Sequence, residues 1–488
     1  MCSIDIGAPT SRNTAARESI VTVLYYHSNV VFIIIIPMLR SIIDIHVILL
    51  SFSSICVGTA VFYCQWRTLE PSMKRTDAAR LLAPYLNWRR LAVVAGPGIV
   101  VMLADTDAGS IITAAQSGAE WRYRLLLLQL VLIPILYVVQ ELTVRLGIVT
   151  GKGHAELISD QFGQGWAWLS VATLGLSCVG ALLSELSGLA GVGLLIGVPA
   201  TVTMSLTVMT LIVMAYRGSY LAVERIAIAV GAFELVFLFV AWRANPDLTA
   251  LASGAIDIPW REPKYLYLVA ANIGAVIMPW MVFYQQSSVV EKKLSPDDLP
   301  AARLDTALGA VVTQIIMAAV LIATAATLGS AAQSGSLDTV QQIALAITPY
   351  LGEMTGKLLF GLGLSGSAIV ATIVVTLTAA RTLSEVLGVK HSLEHAPHEA
   401  PWFYGIYTAA LVAGALIVVS GVNLVSLSVG VQVMNALLLP IVLGFLYLLA
   451  RRLPEPYRLQ GSHAFLVAVV IASTVVFGVY SGLAGLWG

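Results

Sequence analysis

Two aspartates stand inside an otherwise apolar stretch of the chain. Asp105 and Asp107 occur in the run Met102-Leu-Ala-Asp-Thr-Asp-Ala-Gly-Ser110, which follows Gly96-Pro97-Gly98 and continues as Ile-Ile-Thr-Ala-Ala. An ionisable side chain is costly at membrane depth, so it marks a functional site by default. Because both groups carry the same negative charge, they favour a cation over an anionic ligand. This run is the first candidate for a binding site.

A second apolar stretch combines a glycine, a methionine and a proline in Gly274-Ala-Val-Ile-Met278-Pro279-Trp280. Proline removes a backbone donor and clashes with the preceding turn, so carbonyls around Ala275 lose their helical partners. Asp107-Ala-Gly-Ser110 interrupts the first stretch in a similar way. Non-helical backbone at membrane depth is tolerated only where it lines a cavity. The predicted helix-break residues are Gly109, Gly274, Pro279 and Trp280.

Membrane-spanning helices must position these residues. The chain has 488 residues, of which 58% are hydrophobic and 11% charged, and its mean hydropathy is +0.87. No soluble domain of ordinary composition is that apolar. A helix needs roughly 20 apolar residues to cross a bilayer. About eleven such runs occur, near 91–117, 125–146, 166–196, 201–216, 221–242, 265–290, 304–328, 357–387, 403–420, 424–449 and 464–480. The sequence predicts an all-α polytopic membrane protein.

The broken stretches fall in the first and sixth of these runs. Breaks at matching positions of two halves indicate an inverted-repeat transporter with its site near the bilayer midplane. Lys and Arg gather on alternate loops, which predicts a cytoplasmic N-terminus for the core, an external C-terminus and insertion in the cell inner (plasma) membrane. The net charge is zero and the four cysteines are scattered. Neither a nucleic-acid partner nor a disulfide or thiolate metal site is indicated.

The first 72 residues fit this scheme poorly. The run 31–36 is followed by Pro37, Arg40, Asp44 and His46, so only 47–63 could cross a membrane. The segment 1–72 is interpreted as an extra hydrophobic segment or as an over-long start ahead of Met73, and 73–488 as the transporter domain.

Several motifs together resemble the natural resistance-associated macrophage protein (NRAMP) family of metal transporters. The Gly96-Pro-Gly98 triplet followed by Asp107-Ala-Gly-Ser110 is similar to the family's Gly-Pro-Gly and Asp-Pro-Gly-Asn first helix. Arg145-Leu-Gly-Ile-Val-Thr-Gly-Lys152 is similar to its second-helix ending, and Gly274-Ala-Val-Ile-Met-Pro279 to its sixth helix. Gln432, eight residues before Pro440, matches its tenth-helix glutamine. The resemblance implies eleven helices in a five-plus-five inverted repeat related to amino-acid symporters.

The resemblance also implies a ligand set for a divalent cation. Asp107 would supply a carboxylate, Ser110 a hydroxyl, Ala275 its carbonyl and Met278 its thioether, with Gln432 joining in an occluded state. Independently of the family, a soft sulfur beside oxygen ligands favours a transition metal over magnesium or calcium. We therefore expect secondary transport of Mn²⁺ or Fe²⁺. The metal is the substrate, and neither a cofactor, an enzymatic activity nor an obligate protein partner is expected.

This chain departs from the family's pattern near the site. Ala108 and Ser110 replace proline and asparagine, and Trp280 and Met281 replace a His-Asn pair whose histidine is linked in the family to proton movement. Proton coupling is therefore expected to be weakened or altered. Loss of the histidine keeps Mg²⁺, carried by a related branch, as the alternative substrate. A symporter of amino acids on the same fold is the remoter alternative, which the two aspartates oppose.

Three further acids could serve an ion or a proton. Asp105 has no counterpart in the family's motif. Glu185, in Leu183-Ser-Glu-Leu-Ser187, lies close to where the family has acidic residues on its proton route, and Glu234 is another intramembrane acid. A buried carboxylate can alternatively form a hydrogen bond between helices.

Overall fold

The computed structural model describes residues 94, 96–328, 337, 339–347, 352–421 and 424–487, and regular structure across these residues is helical throughout. The α-helices are α1 (Pro97–Asp105), α2 (Ala108–Trp121), α3 (Leu126–Thr150), α4 (His154–Phe162), α5 (Gln164–Leu195), α6 (Ala200–Arg217), α7 (Tyr220–Gly231), α8 (Val236–Arg243), α9 (Leu248–Ile256), α10 (Pro263–Val276), α11 (Pro279–Glu291), α12 (Leu299–Leu328), α13 (Val340–Ile347), α14 (Glu353–Val386), α15 (Pro401–Val419), α16 (Leu424–Ala450) and α17 (Gly461–Trp487). The two interpretations of 1–72 concern residues outside the described ranges.

Within the described residues, ten helical segments are long and apolar enough to cross a membrane. One of them, Ala108–Thr150, has 43 residues, which would extend about 65 Å as a straight helix. The apolar core of a bilayer is only about 30 Å thick. A 3₁₀ turn, Arg122–Leu125, divides this segment, and Arg122 adopts a positive φ of 53°. The segment therefore supplies two crossings, α2 and α3, which agrees with the eleven predicted spans.

The first and sixth spans are broken, but not at the residues predicted from glycine. Helix α1 ends at Asp105 and α2 begins at Ala108, so the first break is Thr106 and Asp107. The second break is Ile277 and Met278, between α10 and α11. Gly109 and Gly274 lie inside helical turns next to the breaks, so their assignment as break residues is wrong. Close helix packing, described below, explains both glycines.

Pro279 and Trp280 lie on the far side of the second break. Pro279 is the first residue of α11 and Trp280 follows it in the same turn. A first helical position needs no backbone donor, so proline fits there without loss of a hydrogen bond. Pro279 was predicted to separate two half-helices. It begins the second of them, α11, and the break itself consists of the two residues before it.

Four features of the fold were not expected from the sequence. Three are the short helices α4, α9 and α13, each of eight or nine residues. The fourth is a 3₁₀ segment, Ala232–Leu235, which interrupts the fifth span and carries Glu234. Short helices fall below the length that identifies a span, and a one-turn change of helix type leaves hydrophobicity unchanged.

The two broken spans lie in the interior of the helix bundle. Helix α10 packs against α16 and α17, and α2 packs against α12 and α16. The outer helix α6 instead leaves large apolar side chains such as Leu206 and Met209 exposed. Because α16 contacts both broken spans, it is placed to contribute side chains to both breaks.

Candidate metal-binding site

Asp107 forms the centre of the first break. It is the residue before α2 and has an extended backbone (φ −68°, ψ 172°), and its Oδ1 accepts a hydrogen bond of 2.6 Å from the Ser110 backbone N–H. A carboxylate at this position satisfies an unpaired helix donor and interacts favourably with the helix dipole. Its second oxygen, Oδ2, is buried and has no hydrogen-bond partner among the described residues. One oxygen thus stabilises the helix while the other remains available to a cation.

The Ala275 carbonyl lies at the second break and is freed by Pro279. In a continuous helix the carbonyl of residue 275 would accept from the N–H of residue 279, which proline lacks. Instead the Ser110 hydroxyl donates to the Ala275 carbonyl over 3.1 Å. Neighbouring oxygens in an octahedral shell with bonds of about 2.1 Å lie about 3 Å apart. The hydrogen bond therefore holds these two oxygens at a spacing that suits adjacent ligands of one ion.

Met278 contributes sulfur to the second break. It is the residue before α11, has an extended backbone (φ −89°, ψ 139°) and is completely buried. The neighbouring Met281 is equally buried, but it lies within α11. Met278 is therefore the methionine located in the break itself, three residues after Ala275.

Gln432 on α16 lies between the two breaks. Its Nε2 lies 3.5 Å from Asp107 Oδ1, to which it donates. A methyl group on Gly109 would lie 2.4 Å from this Nε2, and one on Gly274 would lie 1.8 Å from the Gln432 carbonyl oxygen. Any side chain at either glycine would overlap Gln432. The two glycines thus permit α16 to approach both broken spans.

Glu185 on α5 also reaches the first break. Its Oε2 accepts a hydrogen bond of 3.0 Å from the backbone N–H of Ala108, the first residue of α2. The side chain is fully buried, and Oε1 has no hydrogen-bond partner in the described part of the chain. Asp107 and Glu185 therefore both hold the start of α2. The sequence located Glu185 near a proton route but did not indicate this contact with the helix end.

Asp105 and Glu234 are two further buried acids near the first break. Asp105 is the last residue of α1, and Glu234 lies close enough to Asp105 and Asp107 to interact electrostatically with both. Within the described ranges, Asp105 Oδ1 and both Glu234 carboxylate oxygens lack hydrogen-bond partners. Thr106 instead pairs with Thr313 through their hydroxyls at 2.6 Å. No direct hydrogen bond among the described residues joins Asp105 to the Asp107 group.

Trp280 fills a completely buried position behind the second break. Its indole N–H has no hydrogen-bond partner among the residues that the structure describes. Indole does not titrate in the physiological range and can only donate a hydrogen bond. The side chain therefore offers neither a ligand nor a proton acceptor at the position of the family's histidine.

Two polar residues near the site were missed by the sequence analysis. Asn435 on α16 donates to Gln432 Oε1 over 2.9 Å, and Ser177 on α5 donates to Asn435 Oδ1 over 2.8 Å. Asn435 follows Gln432 by three residues and so lies on the same helix face. That spacing of two amides in an apolar helix is the signal that could have identified Asn435. Ser177 is a single small polar residue and gives no comparable signal.

A buried carboxylate, an ion pair and a buried histidine lie where α1 begins and near the end of α3. Asp305 on α12 accepts from the N–H of Gly98 over 2.8 Å, and Lys292 pairs with Glu224 at 2.7 Å. His154, which precedes the third span, shares a hydrogen bond of 2.7 Å with Gln286. Burial of its imidazole lowers the pKa of His154 from 6.5 to about 4. The ring is therefore uncharged at neutral pH.

Comparisons with known proteins agree with this architecture. The family described as natural resistance-associated macrophage protein-like matches residues 98–484. Divalent metal cation transporters MntH of Ralstonia nicotianae and MntH 1 of Pseudomonas aeruginosa are 30% identical over 293 residues and 32% identical over 297 residues. Each alignment covers 57% of this chain and 65% of the relative, so the chain spans slightly less than two thirds of these relatives. Both relatives are named as transporters rather than enzymes, as expected for this chain.

Solved structures show the same fold. The Eremococcus coleocola manganese transporter, in complex with an aromatic bis-isothiourea compound, superimposes with a TM-score of 0.67 at 18% identity, covering 83% of this chain and 89% of that one. The nucleobase-cation-symport-1 family transporter Mhp1 superimposes with a TM-score of 0.50 at 14% identity, covering 80% and 90%. The predicted all-α inverted-repeat fold with broken helices one and six is confirmed.

Proposed function

This chain belongs to the natural resistance-associated macrophage protein-like family of multi-pass membrane proteins, and on that basis we propose that it is a secondary transporter of divalent metal cations. The metal ion is its substrate, and transport proceeds without a resident cofactor. The substrates named for the relatives and the chemistry of the two breaks both support this activity.

The observation that carries the proposal is the free Oδ2 of Asp107. Within the described residues this buried carboxylate oxygen has no hydrogen-bond partner. The Ser110 hydroxyl and the Ala275 carbonyl are joined across the two breaks at 3.1 Å. A buried carboxylate oxygen without a donor, beside two neutral oxygens, favours a cation and disfavours the carboxylate of an amino acid. The arrangement therefore argues against the amino-acid symporter.

Met278 supports Mn²⁺ or Fe²⁺ as the preferred substrate. Thioether sulfur is a soft ligand that favours transition metals, whereas Mg²⁺ prefers oxygen ligands and its own water. Trp280 supports weakened or altered proton coupling, because its indole cannot accept the proton that a histidine would. The same residue keeps Mg²⁺ as the second candidate. The basic loops support a cytoplasmic N-terminus for the core, an external C-terminus and location in the inner membrane.

Uptake into proteoliposomes tests the proposal. We expect purified protein to carry external Mn²⁺ into vesicles that enclose a metal-quenched fluorophore, and Asp107→Ala to abolish this uptake. Asp297→Ala, at an exposed position, is the matched control and is expected to transport as the wild type does. Undiminished uptake in Asp107→Ala would refute the assigned site, and absence of uptake by the wild type of Mn²⁺, Fe²⁺ and Mg²⁺ alike would refute the function.

A further inference from the structure

A chain of hydrogen bonds leads from Asp107 to a neighbouring helix. Gln432 donates to Asp107 Oδ1, Asn435 donates to Gln432 Oε1, and Ser177 donates to Asn435 Oδ1, over 3.5, 2.9 and 2.8 Å respectively. All four side chains are completely buried. The chain therefore links the first break to α5 without access to water.

The direction of donation follows from the chemistry of its first member. A carboxylate oxygen accepts hydrogen bonds, so Gln432 must turn its NH₂ toward Asp107. Its carbonyl oxygen then faces Asn435, which must present its own NH₂. The Asn435 oxygen in turn accepts from the Ser177 hydroxyl. In this arrangement the Gln432 oxygen is turned away from Asp107 and is occupied by Asn435.

A cation on Asp107 favours the opposite direction. Positive charge repels an NH₂ group and attracts a carbonyl oxygen, so Gln432 can become a ligand only if its amide turns over. Its NH₂ then faces residue 435. The Asn435 amide can accept this hydrogen bond because an amide both donates and accepts. When the Asn435 amide also turns over, its NH₂ donates to the Ser177 oxygen.

Rotation of the Gln432 terminal amide can bring its oxygen to the metal without moving α16. Because a methyl group on Gly274 would lie only 1.8 Å from the Gln432 carbonyl oxygen, the Gln432 backbone cannot move closer to the second break. Rotation of the terminal amide exchanges nitrogen and oxygen within nearly the same volume. Reversal keeps two hydrogen bonds, one between Gln432 and Asn435 and one between Asn435 and Ser177, while the Gln432 donation to Asp107 is replaced by a contact with the metal.

We propose that Asn435 is a positioning residue that sets which end of the Gln432 amide faces the metal, and that the Ser177–Asn435–Gln432 chain reverses its direction of donation when metal binds. This inference rests on the proposed function. It assigns to Asn435 and Ser177 a role in metal affinity, although neither side chain contacts the metal.

A double-mutant cycle tests the proposal through Mn²⁺ affinity, measured by isothermal titration calorimetry on the purified full chain in detergent. Asn435→Leu keeps the branched shape of the side chain but cannot accept a hydrogen bond, so it leaves the turned Gln432 NH₂ unpaired in the metal-bound state. Because a buried unpaired N–H is costlier than an unpaired carbonyl, we expect Mn²⁺ binding to weaken about fivefold. In a Gln432→Leu background, Asn435→Leu is expected to change the affinity no further. An equal loss in both backgrounds would overturn the proposal.

Asn435→Ser separates hydrogen bonding from packing. Serine is smaller than asparagine but still donates and accepts, so we expect its Mn²⁺ affinity to remain closer to wild type than that of Asn435→Leu. A Mn²⁺ affinity of Asn435→Ser as low as that of Asn435→Leu, or lower, would overturn the proposal. Should Asn435→Leu fail to fold, Ser177→Ala takes its place in the cycle, with weaker binding expected only when Gln432 is present.

Parallel uptake measurements distinguish this inference from the proposed function. If the two substitutions have non-additive effects on Mn²⁺ affinity but the protein takes up no Mn²⁺ into liposomes, the hydrogen-bond chain is supported and transport is refuted. Uptake with additive effects of the two substitutions would support transport and refute the chain. A wild-type protein that binds no divalent ion would refute both.

Discussion

Gly274→Ala should separate two helices whose contact shapes the proposed metal site. A methyl group at residue 274 would lie 1.8 Å from the Gln432 carbonyl oxygen and 2.7 Å from the Ala436 backbone nitrogen. Ordinary van der Waals contact begins near 3.4 Å, so α10 and α16 would have to part by roughly 1.6 Å. Both neighbours are backbone atoms of a helix, so they cannot rotate out of the way.

The displacement is large compared with the tolerance of a metal site. Ligand distances are held to within about 0.2 Å, and a misplacement of about 1 Å can lower activity about 100-fold. We therefore expect Gly274→Ala to reduce kcat/KM for Mn²⁺ uptake by about 100-fold. Overpacking should also lower the free energy of unfolding by about 1–3 kcal/mol.

The assay is Mn²⁺ uptake by proteoliposomes, with thermal unfolding of the purified protein as a measure of folding. Gly444→Ala on α16 is the matched control, because a methyl group there meets no described atom within 4 Å. We expect this control to transport and unfold as the wild type does. Wild-type uptake by Gly274→Ala would refute the assignment of Gly274 to the contact between α10 and α16 that shapes the site.

Three further predictions concern single side chains. Met278→Ala should narrow the preference for Mn²⁺ over Mg²⁺ uptake by about tenfold because a soft ligand is lost, whereas the equally buried Met281→Ala should keep it; an unchanged ratio would mean that Met278 only packs. Trp280→His should make Mn²⁺ uptake depend on pH near 6.5 and acidify the vesicle interior, because imidazole titrates there, and Trp280→Phe should do neither. Burial holds the pKa of His154 at about 4 in the folded protein, so the unfolded chain binds a proton first as pH falls below 6.5 and stability declines toward pH 4. When the pH is lowered from 7 to 5, the free energy of unfolding of the wild type should fall by about 2 kcal/mol more than that of His154→Gln. Chemical denaturation at both pH values measures this difference, and equal losses would contradict the assignment of a buried, neutral imidazole.

The membrane spans and the two break regions could be predicted from residues that are close together in the sequence. Span length follows directly from the thickness of the apolar layer, so hydrophobic runs identified the eleven crossings that the described residues form. The break regions could be located because a carboxylate at Asp107 and a proline at residue 279 each disturb a helix where they stand. The first break lies two to three residues before Gly109, and the second lies three to four residues after Gly274. Glycine lowers helix propensity but does not by itself end a helix.

Tertiary structure decided how these local features meet. Asp107 and Gln432 are 325 residues apart in sequence, and Ser110 and Ala275 are 165 apart. A pattern along one chain does not state which helix faces touch, and the roles of Gly109 and Gly274 follow from such a contact. The same holds for Glu185, whose carboxylate meets the start of α2, and for the hydrogen bonds of Asn435.

The sequence by itself determined that this protein spans the membrane and that two of its helices are broken, and it predicted which side chains at those breaks would bind a divalent cation. It did so because the free-energy cost of a charge or of an unpaired backbone group in an apolar layer depends on that residue and its immediate neighbours in sequence. Only the tertiary structure decided that one oxygen of Asp107 is engaged and the other free, and that Gln432 presents its NH₂ to that carboxylate. Those features depend on donors and acceptors brought together from distant helices by packing.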